Sequence, residues 1–359
     1  MLARNVSARR SGPCILKDMV NKPLPIEDLA AVSELARGAL ASLRGARIFV
    51  TGGTGFFGHW LLESLLHANR ELELGVRTTV LTRDGAGFRA RSPWIAEDAA
   101  ITLLEGDVRS FEFPAETHSY VVHAATDSGG QQLEAELASE IVLGTRHVLD
   151  FARHCNAERC LYVSSGAVYG RSITLRHTPE SYLDGHAPQL PAGSYEAAKL
   201  AAEVLCLEYA ARIPLEIVIA RCFAFVGPRL PLDAHFAIGN FIGSALKGEA
   251  LRVNGDGTPR RSWLYMSDLA IWLWTLLARG QSGTAYNVGS DEGYSIAEAA
   301  ALTAATLAPG LQVEIAGTPL ANAPLNSYVP AIDRARTELG LTVNVPLPEA
   351  LRRTAAWYR

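Results

Sequence analysis

The chain is sparing in everything that staples, anchors or polarises a protein. Its 359 residues hold five cysteines, Cys14, Cys155, Cys160, Cys206 and Cys222, odd in number and without a CxxC pair. Such spacing argues against a disulfide framework or a zinc site and for a reducing, cytoplasmic setting. Long hydrophobic runs are missing too. The greasiest segment, Leu269 to Ala278, is about half of what a membrane-crossing helix needs, so it reads as a buried helix. The N-terminal stretch carries Arg4, Arg9, Arg10 and Lys17 with no continuous apolar segment, and no secretory signal is visible. An excess of one charge is absent as well. Lysine and arginine number 33 against 37 acidic residues, a net charge of −4, where a nucleic-acid binder would show a marked basic excess. His123 and His186 stand in no cluster with metal-ligand spacing, so no metal is expected. There is no internal repeat and no low-complexity tract.

What is present is a large potential core. Hydrophobic residues make up 48% and charged residues 19% of the chain, enough to bury a sizeable interior. At roughly 100–200 residues per domain, the length allows two units or one large unit with an annex. Residues 1–24 show no period. Ile26, Leu29, Val32, Leu35, Leu40 and Leu43 then recur at near-helical spacing, which predicts an N-terminal helix packed on the body. From Arg47 a βα rhythm begins. Strands are expected at Arg47–Val50, Thr79–Leu81, Ile101–Leu104, Tyr120–Val122, Cys160–Val163 and Glu216–Ala220, and long helices at about 131–154 and 195–211. Strands apolar on both sides and alternating with helices predict an α/β fold with a doubly wound parallel sheet covered on both faces.

The segment Thr51-Gly52-Gly53-Thr54-Gly55-Phe56-Phe57-Gly58 follows the first strand and opens a helix. It satisfies GxGxxG through Gly53, Gly55 and Gly58, and GxxGxxG through Gly52, Gly55 and Gly58. In this context the pattern predicts a dinucleotide site. Glycine permits the tight turn and lets backbone approach a pyrophosphate, and the helix start offers free N–H groups. The second strand ends in Thr82-Arg83 rather than in the acidic residue that holds the ribose of NAD. A guanidinium pairs with a 2′-phosphate, which favours NADP over NAD; a solvent-facing Arg83 with NAD held by other contacts is the alternative. Asp107, in Glu105-Gly106-Asp107-Val108, is placed either for the adenine edge or as a plain turn residue. The expected organisation is an extension over 1–45, a Rossmann domain over 46–223 rejoined by 262–290, and a smaller α/β substrate domain from 224–261 and 291–359.

Tyr195 and Lys199 lie at i and i+4, on one face of a helix. A phenol titrates near ~10. A neighbouring ammonium and an oxidised nicotinamide would favour its phenolate, fitting Tyr195 to take a proton from an alcohol while hydride leaves the same carbon. Ser165, closing the strand before Gly166-Ala167-Val168-Tyr169-Gly170, can donate to the reacting oxygen.

These motifs resemble the extended short-chain dehydrogenase/reductases, in their NAD-dependent epimerase/dehydratase branch, over about residues 46–345. The resemblance rests on Thr51 to Gly58, His123-Ala124-Ala125-Thr126, Ser164-Ser165 with Val168-Tyr169-Gly170, Tyr195 with Lys199, Arg221 to Pro228, and Gly255-Asp256-Gly257 followed by Arg261 to Asp268. It implies a Ser165–Tyr195–Lys199 triad and a cofactor bed of Gly52, Gly55, Phe56, Phe57, Gly58, Thr82, Arg83, Asp107, Val108, Ala124, Ala125 and Thr126. It also implies a nucleotide-sugar substrate met by Thr126, Ser165, Arg261 and Asn240, the last two at its diphosphate, and a homodimer through the two long helices.

Departures narrow the chemistry. The family's 4,6-dehydratases carry Asp-Glu, and its glucuronate decarboxylases a Glu, just before Val-Tyr-Gly. Here those positions are Gly166 and Ala167, which move no proton. Small residues there resemble the 4-epimerases, in which hydride leaves C4 and returns to the other face of a rotated ketone; a 4-ketoreductase is equally compatible. A dehydratase with acid/base groups from elsewhere, or a reductase of a non-sugar carbonyl, are the alternatives. The usual family residues are also replaced at Ala224, Ile141, Asn254 and Asn326-Ser327, with Arg260 the candidate to compensate for a missing second phosphate-binding arginine.

Overall fold

The computed structural model describes residues 21–126, 134–170, 175–183, 194–234, 236–320 and 324–359. Cys14, Arg9-Arg10, His186 and the first residues of the helix expected from 131 lie outside them. Seven strands form one sheet: β1 Arg47–Thr51, β2 Arg77–Thr82, β3 Ile101–Glu105, β4 Tyr120–His123, β5 Arg159–Ser165, β6 Glu216–Cys222 and β7 Thr284–Val288. They run in the order β7-β6-β5-β4-β1-β2-β3 and every pairing is parallel. This is the doubly wound α/β architecture. Successive strands step outward from β1 to β3, then the chain returns to the other side of β1 with β4. Crossovers diverge there, opening a crevice at the C-terminal ends of β1 and β4.

The longer helices are α1 Ile26–Leu35, α2 Phe56–Glu71, α3 Glu134–His154, α4 Ser194–Arg212, α5 Ala237–Lys247, α6 Met266–Arg279, α7 Ile296–Leu307 and α8 Leu347–Tyr358. The apolar segment 269–278 lies within α6, where Leu269, Trp272, Trp274 and Leu276 are fully buried. No helix among the described residues is long and apolar enough to cross a membrane. Beyond β6 the chain forms short pairings that frame the crevice. Phe225–Val226 lies beside Leu264–Tyr265, and Arg260–Arg261 lies between Tyr294–Ser295 and Ser327–Tyr328.

The N-terminal segment is part of the packed body. Leu29, Val32, Leu40 and Leu43 are buried, but Ile26 and Leu35 are more than half exposed. The series Ile26, Leu29, Val32, Leu35 steps by three, and three residues fall roughly 60° short of a full turn. Its two ends therefore rotate off the buried stripe. The helix also breaks at Ala36, after which a short helix Arg37–Ala41 follows. The segment is clasped by the other end of the chain. The buried Asp28 accepts a hydrogen bond from the Tyr265 hydroxyl (2.6 Å) and one from Arg353 of α8 (2.8 Å), while Trp357 donates to the Pro23 carbonyl (3.0 Å). Arg353 keeps Glu349 as a second partner, but the Tyr265 phenol has none beyond Asp28 in the contacts described.

Asp28→Ala should lower unfolding stability by about 2–3 kcal/mol, because it orphans a buried hydroxyl and cuts the tie between α1 and α8. Thermal melting of the variant reads this directly; an unchanged midpoint would show that the clasp carries no net stabilisation.

Candidate active site

The glycine turn is shaped by close backbone contacts. Gly52 has φ +73°, and a Cβ there would sit 2.5 Å from the carbonyl carbon and oxygen of Ala124. A Cβ on Gly58 would meet the Gly53 carbonyl oxygen at 2.2 Å. Gly52 thus lets β1 and the loop after β4 converge, and Gly58 lets α2 press on the turn. Helix α2 starts at Phe56 with Gly55 as N-cap and no side-chain cap, leaving its first N–H groups to whatever binds the turn. Gly52, Gly55, Phe56 and Phe57 line the cavity above; Gly58 does not, and serves packing. An uncapped helix start beside the bare backbone of Gly52 and Gly55 fits the diphosphate of a dinucleotide.

That cavity, about 810 Å³, extends along the C-terminal edge of the sheet. At one end stand Thr82, Arg83, Asp107 and Val108; in the middle Ala124, Ala125, Thr126, Ser165, Tyr195 and Lys199; at the other end Arg261, Trp263 and Tyr328. One expected residue is not brought in. Asn240 lines a separate depression with Ser244, Glu249, Arg252 and Asn254. The reason is helical phase: α5 turns Ile238, Phe241 and Ile242 inward, which leaves Asn240 exposed on the opposite side.

Lys199 is 3% exposed and donates to Thr126 Oγ1 and to the Val163 carbonyl, both at 2.9 Å. Burial brings its pKa down from 10.5 to about 8. Its ammonium lies 5.1 Å from the Tyr162 ring centroid, a cation–π contact under the site. Burial holds the Tyr195 phenol above its ordinary range, and the Ser165 hydroxyl pulls the other way. The depressed phenol expected from the ammonium and an oxidised nicotinamide is not seen in the protein alone, where the ammonium is directed at Thr126 and Val163. Ser165 also interacts with a second phenol, Tyr328, whose pKa is raised by burial. The Tyr328 ring packs at a tilt against Phe223, with centroids 4.6 Å apart, and lies under the Arg261 guanidinium at 5.8 Å.

Behind these groups lies a polar frame. His123 Nε2 contacts Thr145 Oγ1 at 3.0 Å, and since Thr145 donates to the Ile141 carbonyl, His123 is the donor there. Its Nδ1 therefore accepts from Thr51 Oγ1 (2.7 Å), and Thr51 accepts from the Ala125 amide (3.2 Å). Desolvation keeps His123 neutral, with a pKa near 3. This relay fixes the backbone of residues 124–126. One turn past Lys199, Glu203 accepts from Ser164 Oγ (2.5 Å) and pairs with Arg221 at 2.8 Å, so the strand end that carries Ser165 is pinned to α4.

Four residues of this site were not singled out from sequence. Glu203 continues the i, i+4 series of Tyr195 and Lys199, a legible signal. Tyr328, Phe223 and Glu140 reach the cavity from distant segments, and nothing local marks them. The described cysteines, Cys155, Cys160, Cys206 and Cys222, are buried free thiols, and Cys222 lines the cavity.

A parallel sheet with a glycine turn at its switch point and a Tyr–Lys helix beside it defines a nicotinamide-dinucleotide enzyme of the extended short-chain dehydrogenase/reductase type. Residues 48–289 match the NAD dependent epimerase/dehydratase family, and the chain belongs to it. It is 31% identical over 310 residues to UDP-glucuronic acid decarboxylase 6 of Arabidopsis thaliana, covering 85% of this chain and 86% of that one. It is 27% identical over 322 residues to a dTDP-glucose 4,6-dehydratase of Streptomyces niveus, covering 87% and 93%. Among solved structures, the Bordetella bronchiseptica enzyme WbmG in complex with NAD superposes with a TM-score of 0.68 at 25% identity, over 87% of this chain and 94% of that one.

The depressed pKa of Lys199 has a testable sign. Between about pH 8 and 10.5 the unfolded chain holds this proton and the folded chain does not, so wild-type stability rises with pH across that window. A fall from 10.5 to about 8 is worth about 3 kcal/mol. Lys199→Met lacks this dependence. Its melting temperature relative to wild type should fall by a few degrees from pH 7 to pH 10, and a pH-independent difference would refute the buried ammonium.

Proposed function

We propose that the protein transfers hydride at a ring carbon of a nucleoside-diphosphate sugar, as a 4-epimerase or a 4-ketoreductase, without eliminating water or carbon dioxide. The observation that carries this is one continuous cavity holding a phosphate-ready turn, the Ser165–Tyr195–Lys199 group and a cation at its far end. Arg261 there hydrogen-bonds the Arg260 carbonyl (2.7 Å) and Asn326 Oδ1 (3.3 Å), with no carboxylate in salt-bridge contact among the described residues. Burial lowers its pKa. A half-buried guanidinium without a counter-ion is matched by an anion such as a sugar-linked diphosphate.

A bound nicotinamide dinucleotide supplies hydride acceptance and return, the one part of the reaction no side chain performs. Tyr195 takes the proton of the substrate hydroxyl when the carbon is oxidised and returns it when the carbonyl is reduced. Ser165 donates to the same oxygen. Lys199, still mainly protonated at neutral pH, stabilises negative charge on the phenol and holds Thr126 in place.

No acid/base side chain stands at 166 or 167, the positions where the resemblance places one in 4,6-dehydratases and glucuronate decarboxylases. A Cβ on Gly166 would stand 2.9 Å from the Phe223 ring, so this wall is filled by an aromatic face. Ala167 contributes its amide to Ser165 Oγ (3.1 Å) and no acid. An acid/base residue at 166 would require Phe223 to move.

The protein is also proposed to pair with a second copy through α3 and α4. The two helices pack side by side, tied by Tyr209 to Asp150 (2.7 Å), and leave Leu143, Val204 and Leu207 between 43% and 52% exposed.

Tyr195→Phe should lose turnover by about 100-fold or more and keep dinucleotide affinity. Incubating NDP-hexoses, NDP-4-ketohexoses and NDP-hexuronates with cofactor separates the reactions: a 4-epimer of unchanged mass resolved by chromatography, or a ketosugar gaining two hydrogens, fits the proposal, and loss of water from a hexose or of carbon dioxide from a hexuronate overturns it. Val204→Arg with Leu207→Arg should convert a dimer to a monomer in sedimentation; a wild-type monomer would remove the assembly.

A further inference from the structure

We propose that Glu140, reaching in from α3, makes this site selective for the dinucleotide that lacks a 2′-phosphate, in place of an acidic residue at the end of β2. The inference rests on the dinucleotide reading of the cavity. Glu140 is 7% exposed, lines the cavity beside Val108, and stands 3.7 Å from the Arg83 guanidinium. Its placement follows from helix geometry. Gly144 lies one turn further along the same face, and a Cβ there would press on Val108 at 2.9 Å. The missing side chain lets α3 approach the end of β3 and brings the carboxylate of Glu140 into the ribose end of the cavity.

The charges around that end are already matched. Arg83 faces Glu140, Arg109 forks onto Asp107 through two bonds of 2.8 Å, and Arg91 contacts Asp84 at 3.3 Å. Glu105 adds a fourth carboxylate, 2.6 Å from where a Cβ on Gly85 would lie. Arg89, on the helix that follows, is exposed and does not line the cavity. A 2′-phosphate would bring between one and two further negative charges. To bind it, Arg83 would have to leave Glu140, and a buried carboxylate would then stand unpaired next to the phosphate. Ribose hydroxyls make no such demand, since a carboxylate accepts hydrogen bonds from them.

The test titrates NADH and NADPH separately into nucleotide-free protein, read by tryptophan fluorescence. Wild type is expected to bind NADH at least tenfold more tightly. Glu140→Gln should narrow that ratio to about threefold or less, chiefly by tightening NADPH. Arg83→Ala, a surface change that spares the core, should leave the preference for NADH in place. Equal or tighter NADPH binding by wild type would overturn the proposal, as would an unchanged ratio in folded Glu140→Gln or a selective loss of NADPH affinity in Arg83→Ala. Binding of neither dinucleotide would instead bring down the oxidoreductase reading and this inference with it.

Discussion

The buried ammonium of Lys199 is the constraint around which the site is organised. An ammonium out of contact with water needs acceptor oxygens around it. Here the Val163 carbonyl and Thr126 Oγ1 supply two contacts, one from the sheet and one from the loop after β4. Helix α4, strand β5 and that loop therefore have one relative position in which the charge is satisfied. Thr126 is in turn held by the backbone that the Thr51–His123–Thr145 relay fixes, and Thr51 ends the strand that leads into the glycine turn. The catalytic helix and the phosphate cradle are thus coupled through a chain of short polar contacts, and His123 stays neutral because that ammonium and burial both disfavour a second charge.

Charge is distributed unequally along the cavity, and this gives it direction. At the ribose end guanidiniums meet carboxylates, so a further anion finds no surplus cation. At the far end Arg261 rests on Tyr328 and polar backbone, without a carboxylate partner among the described residues. A molecule with an anionic group remote from its reacting carbon is favoured in one orientation only. That is the requirement for presenting a hydroxyl to Tyr195 while the substrate's charge is held elsewhere.

Much of this was legible in the residues. Strand and helix alternation, the glycine turn and the Tyr195–Lys199 spacing are local patterns, and local patterns survive folding because they are set by a single element. Ser165 was readable because it closes a strand at the sheet's reactive edge. What the residues did not show has a shared cause. Asn240 was placed by analogy, whereas the phase of α5 turns it outward. Arg83 was read without its partner, Glu140, which lies far along the chain and is brought near by the close approach of α3 at Gly144. The depressed phenol was expected from the ammonium together with an oxidised nicotinamide; in the protein alone burial raises it, and the ammonium is directed at acceptors from a strand and a loop. Spacing reports which side chains share a face; it does not report what competes for them.

The packing around Gly166 bears on the proposed chemistry. Phe223 follows directly on β6, and its ring occupies the space over Gly166 while packing at a tilt against Tyr328. Those contacts are apolar and fill volume, so a carboxyl group introduced at 166 would meet both a steric clash and a desolvated surface. Proton transfer is thereby confined to the Tyr195 side of the cavity. Tyr195, beside Ser165, is the proton-transferring group of the proposed chemistry, which is oxidation and reduction at a single carbon. Abstraction at a neighbouring carbon needs a second acid/base group, and Phe223, Gly166 and Ala167 leave none at the place where it would stand.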